Sequence, residues 1–366
     1  MKILFLLHST ATNGATNYAI NLVNYLFKRS LTVDYISLDN QLLPNLPSKR
    51  VYFNFEKKIQ YTLLNLKNFF LKRDLLTRFD VSILNLRNEN YSLIYANTIA
   101  NLRLAVSFKL RMPTIKVILH LHEMETIIKQ NFEDISYYDG YIEKYIVVSV
   151  YTKQYLLSLG VKESKISLID ACADIPILSN SKIQVTDFFN VVMVGEAHWR
   201  KGDDLFLLLA KKTVLQNSNI HFYWIGNVEK NRKIVLQEDI KKLGLSNFVT
   251  LIDEVPNPND YVSLMDVFVL TSREDPFPLV AIEAGMLGLP IVCFQSSTGL
   301  EEDIKRSGGL IVPYLDIDKM AESILQVKKN HQYYLDTKDQ RKEYFQRFNP
   351  ERICEEIYKE IKPFIK

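Results

Sequence analysis

Residues 191–210 read "VVMVGEAHWRKGDDLFLLLA": an apolar run, a loop with a glycine and two basic residues, then apolar residues at helical spacing. A short β-rich run that feeds a helix through a tight loop is half of a βαβ unit. The unit recurs along the chain. Before it stand "KILFLLH", "TVDYISL", "LIYAN", "TIKVILHLH" and "KYIVVS", and with and after it "FNVVMVG", "IHFYWIG", "FVTLI", "VFVLTS" and "PIVCF". Their alternation with longer helical patterns predicts an α/β protein with parallel sheets covered by helices on both faces. The pattern restarts near residue 188, after "ADIPILSNSKIQVTDF", a polar stretch without a period that reads as an interdomain linker. Two doubly wound domains are expected, 1–180 and 187–345. In the remainder, 346–366, Asn349 and Pro350 are helix-start signals, and Ile353, Ile357 and Ile361 form one face of an amphipathic helix that needs a surface to pack on.

Bulk properties narrow the class. A chain of 366 residues is long for one core, and 47% apolar with 24% charged residues is an ordinary globular composition, which argues against disorder. The net charge of +3 makes no case for nucleic acid. Cys172, Cys293 and Cys354 are odd in number and far apart, so neither a disulfide framework nor a zinc site is expected, and a reducing cytoplasm fits best. "MKILFLLHST" has too short an apolar run for a signal sequence, and no stretch is long and apolar enough to span a membrane. Residues 55–79, with six basic and two acidic residues among leucines and aromatics, suit either an anionic membrane surface or a helix pair with a solvated basic face.

In open α/β sheets ligands bind beyond the carboxyl ends of the strands, so the loops there carry the chemistry. In "HSTATNGATNYAINLVNYL", Gly14 opens a helix and fits either an anion or sugar approaching its amides or a plain tight turn. Neither G-x-G-x-x-G nor a P-loop motif occurs, which removes the main support for nicotinamide or P-loop chemistry. In "VILHLHEME", His120 and His122 share a strand face. They read as hydrogen-bonding groups for hydroxyls together with Glu123, as structural residues, or, with no further cluster to complete a shell, least readily as metal ligands. After "VVMVG", Arg200, Lys201 and Gly202 stand just before a helix start near Asp203 or Asp204, where cationic side chains and the helix dipole suit a phosphate. In "SREDPFPLVAIEAGMLG", residues 272–288, Pro276 and Pro278 stiffen a loop and Leu279 starts a helix. Glu283 lies a turn further in, where a carboxylate can accept two hydrogen bonds from a vicinal diol. Ala281, Ala284 and Gly285 would let that helix lie close to the sheet or to a ligand. The D-x-D of "LDID", Asp316 and Asp318, reads as a helix cap and not as a metal site.

These segments, with "VSVYTKQYL", "GGLIVPYLDIDKMAESI" and the final helix, occur in an order that resembles the family 4 retaining glycosyltransferases of the GT-B fold across nearly the whole chain. The resemblance implies two Rossmann-like domains facing across a cleft, the donor held mainly by the second and the acceptor by the first, with the last helix packing back on the first. It implies a hexose moved from a UDP- or GDP-linked sugar to a glycan or lipid-linked acceptor, in envelope, capsule or O-antigen synthesis, at the inner face of the cell membrane and with neither metal nor cofactor. Position by position, Lys201 matches the lysine that neutralises the diphosphate, and Glu283 the ribose-binding acid of an E-x7-E element. The first acid of that element falls on Asp275, with Glu274 as a neighbour that could compete. Lys201, Asp275 and His122 are then the catalytic candidates. Gly14, Gly195, Arg200, Glu274, Phe277, Pro278, Leu279 and Glu283 would bind the donor, and Asn13, His120 and Glu123 would contact sugar or acceptor. Glu196 stands where the family often has an arginine, and Arg200 would supply that charge. A nucleotide-sugar 2-epimerase, a sugar phosphorylase and a non-catalytic partner subunit remain alternatives on the same scaffold.

Overall fold

The computed structural model describes residues 2–8, 14–37, 51–53, 90–179 and 183–365. Asn13 and the basic segment 55–79 lie outside the described residues. The chain divides into two compact units, Met1–Ala171 with Pro350–Lys366, and Cys172–Asn349.

The first unit holds a seven-stranded sheet of β1 (Lys2–Leu7), β2 (Thr32–Ser37), β3 (Val51–Phe53), β4 (Leu93–Asn97), β5 (Lys116–Leu121), β6 (Lys144–Val147) and β7 (Ile166–Leu168), ordered β3-β2-β1-β4-β5-β6-β7 with every pair parallel. Ile3 to Leu7 are buried without alternation, as a strand covered on both faces requires. Asp34 is fully buried in β2, and its charge is met by Lys2 Nζ at 3.0 Å and the Tyr91 hydroxyl at 2.6 Å.

The second unit repeats the plan with β8 (Phe189–Val194), β9 (Ile220–Ile225), β10 (Val249–Ile252), β11 (Val267–Leu270), β12 (Ile291–Phe294) and β13 (Leu310–Val312), ordered β10-β9-β8-β11-β12-β13, again all parallel. Each sheet reverses its winding once, between β1 and β4 in the first and between β8 and β11 in the second. A cleft opens beyond the strand ends at such a reversal, because the two following helices pack on opposite faces.

Residues 173–179 differ from the expected linker. Ser179 donates through its main-chain N–H and its hydroxyl to Asp260 at 2.7 and 2.5 Å, Asn257 donates to the Ile177 carbonyl at 2.8 Å, and Ala173 N–H reaches Phe348 O at 3.1 Å. These bonds tie the segment to the second unit, and the division falls at Ala171, earlier than 180. The helix Pro350–Ile361 packs within the first unit, its Ile353, Ile357 and Ile361 fully buried. Its polar side is anchored there too: Glu355 accepts from Tyr25 and Arg29, and Glu360 takes Lys144 at 2.9 Å and Ser167 at 2.7 Å.

The small residues of "AIEAGMLG" serve a purpose the sequence reading did not assign. The Leu279–Met286 helix packs at Gly285 against the Phe345 ring, so closely that a Cβ there would overlap the ring. The close approach is to a helix of the same unit, Lys338–Phe345.

Candidate active site

In the second unit the site grows from the loops after β8 and β11, the two strands flanking the reversal. Beyond β8 the chain passes Gly195, whose carbonyl accepts from Trp224 Nε1 at 2.9 Å, and forms a 3₁₀ turn, Trp199–Lys201. Gly202 then turns into the helix Asp203–Gln216 with φ of 71°. Only glycine fits there, since a Cβ would collide with the Thr271 carbonyl oxygen of the loop after β11. That approach brings the two loops together.

The centre of the contact is an ion pair. Lys201 Nζ lies 2.5 Å from Asp275 Oδ2, and Arg200 Nη1 lies 3.7 Å from Asp275 Oδ1 while donating to the Glu274 carbonyl at 3.0 Å. Burial alone would raise the Asp275 carboxyl, but the adjacent Lys201 and Arg200 hold it below the usual carboxylate range. Arg200 thus brings a second positive charge to Asp275, while Glu196 is exposed.

Arg273 clamps the same loops. Its Nη1 and Nη2 each reach an Asp204 carboxylate oxygen at 2.9 Å, Nη1 also donates to Trp199 O at 2.7 Å, and its N–H reaches Arg200 O at 2.8 Å. Beside it Arg232 makes a bidentate pair with buried Asp203 at 2.6 and 2.7 Å. Neither arginine was singled out from sequence. An acidic pair at a helix start was visible, but its partners lie 29 and 69 residues away in the chain.

The other donor candidates separate. Asp275 is fixed by its N–H to Ser297 O at 2.8 Å, and it, not Glu274, meets Lys201. Glu274 stands toward Tyr314, whose hydroxyl is raised by burial first and by the Glu274 charge second. Phe277 requires a correction: its ring is buried edge-on against Phe348 at 5.5 Å, so its side chain belongs to the core and is not offered to a donor. Pro278 caps the Leu279–Met286 helix. One turn in, Glu283 Oε2 accepts from Asn259 Nδ2 at 3.2 Å. Burial pushes this carboxyl up to about 7, against the Asn259 hydrogen bond and with some help from the charge of Asp174.

In the first unit a second cluster sits at the reversal between β1 and β4. Gly14 opens the helix Gly14–Lys28 and is exposed. Asn97, the last residue of β4, donates from Nδ2 to the Ala15 carbonyl at 3.1 Å, which turns its Oδ1 toward His122 Nε2 at 2.9 Å. An amide oxygen only accepts, so His122 carries its proton on Nε2. Burial, with the His8 imidazole as a second cause, pushes His122 down to about 3, so it is neutral at physiological pH and acts by hydrogen bonding. Tyr18 packs edge-on against the rings of His120 and His122. Next to Asn97, Thr98 holds a φ of 96°, a strained value for a β-branched residue. Sequence reading passed over Asn97 and Thr98, since an Asn-Thr pair after a strand is an ordinary turn signal.

Of two further expected contacts, that of His120 is corrected here. His120 is fully buried with Nδ1 2.7 Å from the Tyr95 hydroxyl, and Glu123 spends a carboxylate oxygen on the main-chain N–H groups of Ile99 and His122, at 3.2 and 2.9 Å. Both hold the loop that presents His122. Among the described residues no group of three or more His, Cys, Asp or Glu is placed to hold a metal ion. Asp316 caps the Ile317–Lys329 helix at Lys319 N, 2.9 Å, and Asp318 pairs with Lys212 at 2.8 Å.

Two Rossmann-like units, each with one reversal in its parallel sheet, make up a GT-B fold. The family model of the glycosyl transferases group 1 matches residues 175–344. The chain is 24% identical to an uncharacterized glycosyltransferase of Haemophilus influenzae, over 96% of this chain and 97% of that one. It is 27% identical to the O-antigen biosynthesis glycosyltransferase WclY of Escherichia coli over 160 residues, 42% of this chain and 43% of the other. Among solved structures, HepE of Anabaena in complex with UDP and glucose superposes with a TM-score of 0.81 at 18% identity, covering 99% of this chain and all of that one.

Proposed function

We propose that this protein is a retaining, metal-independent hexosyltransferase that takes its sugar from a UDP- or GDP-linked donor and passes it to a glycan or lipid-linked acceptor of an envelope polysaccharide. The observation that carries the reading is the Lys201–Asp275 contact, 2.5 Å, closing over the reversal between β8 and β11 with Arg200 beside it. Support for the substrates comes from relatives: HepE was solved with UDP and with UDP-glucose, and WclY is an O-antigen biosynthesis enzyme.

Breaking the bond between an anomeric carbon and a diphosphate gathers negative charge on the leaving oxygen. Lys201 and Arg200 meet that charge, and the first amides of the Leu279–Met286 helix, which lack a carbonyl one turn earlier, point the same way. Asp275 holds the Lys201 side chain in place through their 2.5 Å contact. Glu283 accepts the ribose diol, and binding two hydroxyls favours its ionised form over the buried neutral acid. In the first unit neutral His122, its proton held on Nε2 by Asn97, is a hydrogen-bonding group suited to a sugar hydroxyl. The acceptor hydroxyl attacks on the face the diphosphate leaves, and the diphosphate takes its proton. The basic segment 55–79 then holds the enzyme to anionic lipid at the inner membrane face.

Nuclear magnetic resonance of UDP- and GDP-hexoses incubated with the protein tests this. The expected result is transfer to a supplied glycan acceptor with the donor's anomeric configuration kept. Rearrangement of the donor alone would mark an epimerase, and an inverted product would overturn retention.

A further inference from the structure

Two carboxylates stand close to a cation that a phosphate site needs free. Asp203 and Asp204 open the helix Asp203–Gln216, two and three residues after Lys201, at a helix end whose dipole favours negative charge. The Asp204 side chain is 44% exposed. Left without a partner, it would draw the Lys201 ammonium toward itself and away from a diphosphate.

Arg273, on the loop after β11, takes that carboxylate. Its Nη1 and Nη2 each donate to an Asp204 oxygen at 2.9 Å. Burial alone would raise the Asp204 carboxyl, but the Arg273 bonds bring it below its ordinary value, so the pair stays ionised. Arg232, in the helix Lys230–Lys242, engages buried Asp203 in the same bidentate way. Arg273 also holds the chain on the other side of Lys201. Nη1 donates to Trp199 O at 2.7 Å, the main-chain N–H donates to Arg200 O at 2.8 Å, and the guanidinium carbon lies 5.1 Å from the centroid of the Trp199 ring. Bonds to Trp199, Arg200 and Asp204 bracket Lys201, whose own carbonyl accepts from Thr271 Oγ1 at 3.1 Å. The Lys201 side chain therefore leaves from a fixed root toward Asp275. Only a planar fork can meet two carboxylate oxygens and a carbonyl at once; a lysine ammonium in its place is a single point charge.

We propose that Arg273 is a positioning residue for donor binding, which keeps Asp204 from Lys201 and fixes the loop that carries it, a role that rests on the assignment of Lys201 to the donor diphosphate. A double-mutant cycle tests it, with binding of UDP and GDP measured by titration calorimetry on the native protein, Arg273→Ala, Lys201→Ala and the double variant. Arg273→Ala is expected to weaken binding about fivefold when Lys201 is present and about twofold or less when it is absent, because a residue that acts through Lys201 then has nothing to position. Adding Asp204→Ala to Arg273→Ala removes the competing carboxylate and should recover part of the affinity. Circular dichroism checks folding, and if Arg273→Ala does not fold, Arg273→Lys, which keeps the charge and loses the fork, takes its place in the cycle. Equal weakening with and without Lys201, unchanged affinity in the presence of Lys201, or no recovery with Asp204→Ala would each overturn the proposal and leave the donor assignment standing. Failure of the native protein to bind either nucleotide would overturn both.

Discussion

Lys201 and Asp275 are each the other's nearest charge. Lys201→Ala takes away the group aimed at the leaving diphosphate, so turnover should fall about a hundredfold, roughly 3 kcal/mol in the barrier. Initial rates on the preferred donor measure this, and near-full activity would sink the assignment. Glu283 gives a second handle. Its carboxyl sits at about 7 in the folded protein against an ordinary value of 4.5. Its contribution to stability is therefore complete below pH 4.5 and lost as pH rises through 7, roughly 3 kcal/mol in all. Glu283→Gln does not titrate. Its melting temperature relative to the native protein should climb by several degrees between pH 4.5 and pH 8, and a pH-independent difference would contradict the buried-acid account. Asp275 and Glu283 could be singled out together because one loop and one helix fix their spacing, and Lys201 because it stands between a strand end and a helix start. Phe277 was misread because adjacency to the acid says nothing about which way a ring turns, and Asn97 was missed because its role depends on Ala15 and His122, far off in sequence.

At the level of elements, the donor helix is positioned from behind. Leu279–Met286 lies on the helix ending at Phe345 because Gly285 leaves room for the aromatic ring. Gly285→Ala should lower the melting temperature by an amount equivalent to about 1–3 kcal/mol through overpacking, and adding Phe345→Leu should recover part of it. Scanning calorimetry of the single and double variants measures both, and an unchanged Gly285→Ala protein would refute the contact. The same scale shows where pattern reading stops. All ten apolar runs expected as strands formed, whereas β3, β7 and β13 were not anticipated as strands, and each is three residues long at a sheet edge. A run that short has no period to detect, and pairing with a neighbour already in place decides its conformation.

For the whole molecule, the exchange at the end of the chain matters most: the last helix belongs to the first unit although the second unit precedes it. Removing residues 350–366 uncovers the surface that Ile353, Ile357 and Ile361 bury, at about 2 kcal/mol for each side chain. The truncated protein should lose first-unit stability while Trp199 and Trp224, both in the second unit, report unfolding near the native temperature. Tryptophan fluorescence and far-ultraviolet circular dichroism should therefore separate, and coincident early loss of both signals would contradict the division. The two-unit plan was legible from the restart of the strand pattern near residue 188. The division at Ala171 was not, since hydrogen bonds from Ser179, Asn257 and Ala173 capture a segment whose composition reads as linker. The claim on which the rest depends is that Lys201, Arg200 and Glu283 together form a nucleoside-diphosphate pocket. The direct measurement is titration calorimetry with UDP and GDP on the native protein and on Lys201→Ala. The account predicts saturable binding of at least one of them, weakened tenfold or more by the substitution, and failure of the native protein to bind either would contradict it.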